Sequence, residues 1–417
     1  MIRLPWRGGA LVALAVAAIA RAQEKPLELQ ELINEALRDN QEILAAQKRY
    51  EAARQRPRQQ SSLPDPTLSV GYWSNGNPLP GAGLGKEPTS NIGFSYTQDL
   101  PGPTKRRLRG EISSKDADVE LEQYRAVQRS LVLRLSEAFY RLNHTYVAAE
   151  VLDRNHALLD TLLRTVEARY QVGKAAQQEA FRTQTQLTIL ETQRLQLDNE
   201  RRTRAAEINS ILNRPLDTPL TQPANHEMQE MIHGLEELEI SAHLTAPELR
   251  RDQKVVERSE LALNLAHQDS YPDYAVTGGY YYMGGLPAGY QFRADIKLPL
   301  PTSRRRAEVT EQAQKIAEAR HEYTAASTSI NYRVHEAFLA ADTAYKLATL
   351  YRQTAIPQAQ LALQSSLAAF QNGTADFTSV FMNHIAALEY EMAYHEQMLN
   401  HQLALAQIEA LTGLKLQ

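Results

Sequence analysis

Tyr290-Gln291-Phe292-Arg293-Ala294-Asp295-Ile296-Lys297-Leu298 alternates without a break. Tyr290, Phe292, Ala294, Ile296 and Leu298 fall on one side of an extended chain; Gln291, Arg293, Asp295 and Lys297 fall on the other. Successive side chains of a strand point to opposite faces, so this segment reads as a strand with one apolar and one polar face. Three more segments share the pattern. Leu68, Val70 and Tyr72 oppose Ser69 and Gly71; Ile92, Phe94 and Tyr96 oppose Gly93, Ser95 and Thr97; Tyr274, Val276, Tyr280 and Tyr282 share a face.

Aromatic residues fall towards the strand ends, as in the girdles of outer-membrane barrels. Tyr72, Phe94, Tyr96, Tyr280, Tyr282, Phe292 and Ile296 are therefore read as lipid-facing. An ordinary soluble sheet would alternate too, but little else in the chain could cover it. Four strands do not close a barrel; roughly eight is the minimum. An open sheet in lipid would leave backbone groups unpaired, so several chains must share one barrel. Two copies would give a barrel filled by its own side chains, so a conducting pore favours three.

Glycine and proline partition the rest. Twelve of the 19 glycines lie in the windows Gly71 to Gly102 and Gly278 to Gly289. Thr104 to Arg214 holds no proline and only Gly110 and Gly173, and beyond Thr302 the one proline is Pro357. Such breaker-free runs predict helices. Thr104 to Tyr170 is 67 residues, about 100 Å as a helix. Leu131, Leu135, Ala138, Leu142, Ala149, Leu152, Leu159, Leu163, Val166 and Tyr170 form its apolar stripe. Ile330, Val334, Ala337, Ala341, Ala344, Ala348, Tyr351 and Ala355 form a second. Spacings of three and four suit coiled-coil packing. Both long helices open on basic clusters, Lys105-Arg106-Arg107 with Arg109, and Arg304-Arg305-Arg306. Anionic lipid headgroups beside the strand ends and a solvated charged end are the two readings of these clusters.

The chain also repeats itself at an offset of about 200. Ser62-Leu63-Pro64-Asp65-Pro66 echoes Ser270-Tyr271-Pro272-Asp273-Tyr274, and Ala168-Arg169-Tyr170-Gln171-Val172-Gly173 echoes Ala368-Ala369-Phe370-Gln371-Asn372-Gly373. Each half reads as helix, hairpin, very long helix, turn, long helix, which suggests duplication. The expected divisions are a signal peptide over 1–22, a first repeat over 23–215 (hairpin about 67–98, helix pair 104–213), a linker region over 216–246, and a second repeat over 247–417 (hairpin about 274–298, helix pair 303–413).

The leader rests on Arg3, Arg7, the apolar run Gly8 to Ala20, and Ala20-Arg21-Ala22 as a cleavage site. It predicts export, and the run is too short to span a bilayer. With no cysteine in 417 residues, disulfides, thiol catalysis, thiolate metal sites and a lipid anchor are excluded. A net charge of −4 does not favour nucleic acid as a partner.

With these features in view, the sequence resembles the TolC family of outer-membrane efflux proteins over nearly the whole mature chain. The resemblance is carried by the duplicated organisation, Pro64-Asp65-Pro66, and the turns Tyr170-Gln171-Val172-Gly173-Lys174 and Phe370-Gln371-Asn372-Gly373-Thr374. Pro101-Gly102-Pro103-Thr104-Lys105-Arg106-Arg107 is similar to the heavy-metal efflux branch. The resemblance implies a mostly helical homotrimer. Its twelve-stranded β-barrel, with four strands per chain, would sit in a Gram-negative outer membrane, continued by a periplasmic α-helical barrel. It implies a passive exit duct that works with a periplasmic adaptor and an inner-membrane, proton-driven transporter, without cofactor or catalysis. Val172, Gly173, Lys174, Asn372, Gly373 and Thr374 would form the adaptor-docking tip. Some family members carry acidic gate rings where this chain has Ser379 and Met382; Glu179 and Asp376 are the replacement candidates for a periplasmic gate.

One metal-like cluster stands out: His226, Met228, Met231 and His233, with imidazole and thioether donors suited to Cu(I) or Ag(I). No nucleophile–base pair, phosphate loop or paired carboxylates emerge. The competing readings are a pore-less periplasmic adaptor, expected to have one helical hairpin and a soluble β-domain, and a soluble exported enzyme on a helical scaffold.

Overall fold

The computed structural model describes residues 26–76, 78–224, 228–300 and 302–416; the leader lies outside them. Four strands, β1 (Thr67–Trp73), β2 (Asn91–Leu100), β3 (Asp273–Tyr282) and β4 (Gly289–Lys297), form one antiparallel sheet in the order β1-β2-β3-β4. The register tests the face assignment directly, because paired residues share a face. Leu68, Tyr96, Gly278 and Phe292 form one row; Val70, Phe94, Tyr280 and Tyr290 form the next; Tyr72, Ile92 and Tyr282 a third. Tyr274 pairs with Ile296, and Val276 with Ala294. The apolar face expected from all four segments is thus one continuous surface. Phe292 is 80% exposed and Leu68 72%, so nothing among the described residues covers it. The opposite face carries Thr67, Thr97, Thr277 and Arg293 in one row and Ser69, Ser95, Gly279 and Gln291 in another. β1 and β4 are the sheet's two open edges.

Among the described residues there are also ten α-helices: α1 (Leu29–Asp39), α2 (Gln41–Ala53), α3 (Arg56–Ser61), α4 (Pro103–Gln171), α5 (Gln177–Ile211), α6 (Leu235–Thr245), α7 (Pro247–Gln268), α8 (Ser303–Leu350), α9 (Ile356–Gln371) and α10 (Phe377–Thr412). α4 has 69 residues. α8 and α9 join through a π-helical turn, Tyr351–Ala355, and together match α4 in length. The turn precedes Pro357, whose missing N–H and bulky ring disturb the helix ladder four residues back. It also corrects the register of the repeat. Before it, buried positions match at an offset of 199: Leu131 with Ile330, Leu135 with Val334, Ala138 with Ala337, Leu142 with Ala341. Beyond it the match is at 200: Val166 with Ser366, and the tip turns with each other. A π-turn is a one-residue insertion into an α-helix, and here it keeps both stripes facing inward. The first half breaks elsewhere. Pro57, at the start of α3, separates α2 from α3, and α3 then lies so close to α4 that a Cβ on Gly110 would meet the Ser61 Cβ at 3.0 Å.

Three apolar clusters form the core. Leu32, Ala36 and Ile43 pack on the middle of α4 and on Ile208. The second repeat mirrors this: Leu238 and Ala242 of α6 pack on α8 and on Ile408. The third cluster runs towards the helix ends, from Val151 to Val166 of α4 and from Phe370 to Leu388. Leu27 bridges Pro223 and completes the contact between the N-terminal segment and the linker. Two helix pairs and two hairpins do not fit the single-hairpin adaptor.

At Lys105 the structure corrects an expectation, while Arg107, Arg304 and Arg306 are exposed. Lys105 is 3% exposed and is not available to a headgroup. Its Nζ donates to the Tyr271 carbonyl at 2.8 Å and to Asp273 at 2.9 Å, with Asp269 at 3.8 Å. Asp273 also accepts from the Gly102 N–H, and Arg305 donates to the Asp269 carbonyl. The carboxylates offset the unfavourable cation at a helix N-terminus. This cluster ties the start of α4 to the start of β3 and so joins the two repeats where strands become helices. Removing one partner of a buried pair leaves the others uncompensated. Lys105→Ala should therefore cost about 3 kcal/mol or more, read as a lowered unfolding temperature in detergent; an unchanged temperature would show that the junction does not depend on it.

Candidate functional site: the helix tips

α4 and α9 end at the same far point in closely similar ways. At Gly173 (φ 70°) the Gly173 N–H donates to Tyr170 O and the Lys174 N–H to Arg169 O. At Gly373 (φ 76°) the Gly373 N–H donates to Phe370 O and the Thr374 N–H to Ala369 O. Both are Schellman motifs, which need a left-handed residue at the glycine. No atom lies within 4 Å of a Cβ built at either glycine, so both turns face open space. Val172 is 67% exposed, and Lys174, Asn372 and Thr374 are exposed beside it.

The side chains under the two turns differ. Beneath the second, Phe370, Phe377 and Phe381 are buried, with Phe377 and Phe381 stacked at 5.4 Å. Arg169 reaches across from α4. Its guanidinium lies 4.2 Å from the Phe370 ring centre and donates to the Phe370 carbonyl at 2.5 Å. A cation suits the carbonyl end of a helix. Beneath the first turn the aromatics are uncovered: Tyr170 is 48% and Phe181 56% exposed. Arg169 and Phe181 carry no signal of a bridge or a bare surface in the sequence, because neither residue type shows one until its neighbours are known.

The candidate gate residues both sit at helix starts. Asp376 caps α10, accepting from the Ser379 N–H at 3.1 Å and from its hydroxyl at 2.5 Å. These bonds, the hydroxyl's first, hold the Asp376 carboxyl below its usual range. Glu179 lies in the first turn of α5 and approaches the Ala176 N–H at 3.5 Å. Both are therefore engaged in capping. Met382 is exposed, and Ser379 is the partner of Asp376.

The metal-like residues face different surroundings. His226 lies outside the described residues. Met231 packs on the α6–α8 cluster, His233 Nδ1 meets Glu237 at 3.0 Å, and Met228 lines a cavity against α4 and α10. Among the described residues no group of three His, Cys, Asp or Glu side chains is placed to hold a metal ion, and no helix is long and apolar enough to cross a membrane.

The chain is thus mostly helical, with one uncovered apolar sheet continued by helix pairs, one of them near 100 Å long. Residues 32–214 match the family model described as "Outer membrane efflux protein". A search of curated proteins finds no match. Among solved structures, the fold is similar to the outer membrane protein VceC of Vibrio cholerae, at 16% identity and a TM-score of 0.77, covering 92% of this chain and 96% of that one. It is similar to CusC at 14% and 0.76, covering 92% and 91%. The MtrE outer membrane channel of Neisseria gonorrhoeae gives 16% and 0.77, covering 92% and 88%. The resemblance to TolC-family outer-membrane efflux proteins stands on the fold along nearly the whole chain and on the sequence of its first half. The outer-membrane localisation read from the strands agrees with it.

One buried group near the tips bears on acid sensitivity. His384 is 0% exposed, and neither ring nitrogen has a partner. Burial pushes its pKa down to about 4 from the ordinary 6.5. Between those values the unfolded chain binds a proton that the folded chain refuses, so stability falls as pH drops through that window. His384→Leu should flatten the dependence of melting temperature on pH between 6.5 and 4 and raise it at pH 5. A slope equal to the parent's would place the acid sensitivity elsewhere.

Proposed function

We propose that the chain is one of three subunits of a passive outer-membrane exit duct and has no catalytic role. The observation that carries this is the sheet: four strands, one exposed apolar face and two open edges. In a ring of three copies, β1 of each would pair with β4 of the next, leaving no backbone edge in the bilayer. Tyr72, Phe94, Tyr96, Tyr280, Tyr282, Phe292 and Ile296 would then meet lipid, and the Thr, Ser and Arg293 rows would line the pore.

The helix pairs would form the periplasmic tunnel, and the open turns Val172-Gly173-Lys174 and Asn372-Gly373-Thr374 its docking tip. Tyr170 and Phe181 give the first turn an apolar surface for an adaptor protein linked to an inner-membrane transporter. Docking would splay the tips and open the mouth, with Glu179 and Asp376 repeated three times as acidic collars. The segment Pro101 to Arg107 supports heavy-metal ions as the exported class.

Replacing Phe292 or Ile296 with Arg should weaken barrel assembly by about 2–4 kcal/mol for a site near mid-bilayer, seen as loss of a heat-resistant trimer on gels. A trimer of unchanged heat resistance would contradict a lipid-facing β4. Gly173→Trp with Gly373→Trp should abolish export while sparing membrane insertion, since both turns face open space. Parental tolerance to the exported toxicant in that double variant would remove the docking assignment.

A further inference from the structure

The cavity that receives Met228 is unlike the rest of the molecule. It holds about 350 Å³ between α4, α10 and the linker segment. α4 contributes Asn143 and His144, α10 contributes His395 and Met398, and the linker contributes Met228. His395 and Met398 stand one helical turn apart, so both face the same side. Several of these groups lack protein partners. Asn143 is 8% exposed with its Oδ1 unpartnered, and the buried Nε2 of His144 is also without one. Buried polar groups are normally satisfied, so unmet ones around a cavity point to a ligand.

The linker is held in place beside it. The His401 ring lies between the Ala341 and Gln229 carbonyls at 2.9 and 3.0 Å, fixing the backbone next to Met228. The Tyr394 ring packs edge-on against His395 at 4.9 Å. Among the described residues no carboxylate lines the cavity, and Arg352 does. Hard divalent cations demand oxygen donors and negative charge; imidazole and thioether donors suit soft monovalent ions.

We propose that His144, His395, Met228 and Met398 form a binding site for a soft monovalent metal ion, Cu(I) or Ag(I), in the wall of the helical part. Binding would pin the linker to α4 and α10. Of the metal-like stretch seen in the sequence, only Met228 among the described residues belongs to it.

The test is Cu(I) and Ag(I) binding to the full chain purified in detergent, by competition with a Cu(I) chelator under reducing conditions. One ion per chain is expected, with nitrogen and sulfur scatterers in X-ray absorption and a raised melting temperature. His144→Asn and Met228→Leu should each weaken binding by roughly ten-fold or more, while Met231→Leu binds as the parent does. Met228 lies on a loop, so its variant decides the matter should His144→Asn fail to fold. Absence of Cu(I) and Ag(I) binding, unchanged affinity in Met228→Leu, or preference for Zn(II) over Cu(I) would each overturn the site.

Discussion

A strand edge in hydrocarbon leaves N–H and C=O groups with no water to satisfy them, at several kcal/mol each. Everything else in this chain is arranged around that constraint. Its sheet has an exposed apolar face and two free edges. Apolar exposure of this size is unstable in water, and free edges are unstable in lipid. Only joining the edges of several copies removes both problems. The helices then follow: in the proposed ring each chain supplies one sector of wall, so its long helices need one face for their own hairpin partners and others for neighbours. Ile189, Leu195, Tyr332, Leu339 and Leu361 are exposed along them and are suited to such contacts.

The two repeats are duplicated in sequence but packed together, since α4 of the first lies against α7 and α10 of the second. Each has its own cluster near the linker level, built from a short helix, a long helix and the end of its return helix. They share the cluster towards the tips and the buried Lys105 junction at the strand end. Between those points α4 is also tied to α7 by the Lys115–Glu257 and Arg258–Asp116 ion pairs, each at 2.6 Å.

Much of this was legible in the sequence because the signals are periodic. Alternation in four segments fixed which residues share a face, and the register agrees row by row. Absence of proline marked the long helices, and glycine marked the tip turns. What was not legible depends on particular contacts. Lys105 looks like any surface cation until Tyr271 and Asp273 are brought to it from 166 and 168 residues away. The π-turn follows from one inserted residue, invisible when repeats are matched only by motifs at their ends. His226, Met228, Met231 and His233 look like one cluster because they are close in sequence. The described members face apart because a short helix start and a cavity rim direct neighbouring residues to opposite sides.

The tips show how duplication separates geometry from chemistry. Both turns keep a left-handed glycine, since neither Schellman motif would close otherwise. That constraint acts on the backbone and leaves the side chains free to diverge. In the second repeat the aromatics turned inward, and Arg169 fastens their carbonyl end to the first helix. The first repeat kept Tyr170 and Phe181 on the outside. An aromatic pair left in water beside an open turn lowers stability with no structural gain, whereas a partner surface laid over it would recover that burial. In the proposed assembly the first turn would be the one to hold an adaptor, and the second, braced by Arg169, would hold the first in position.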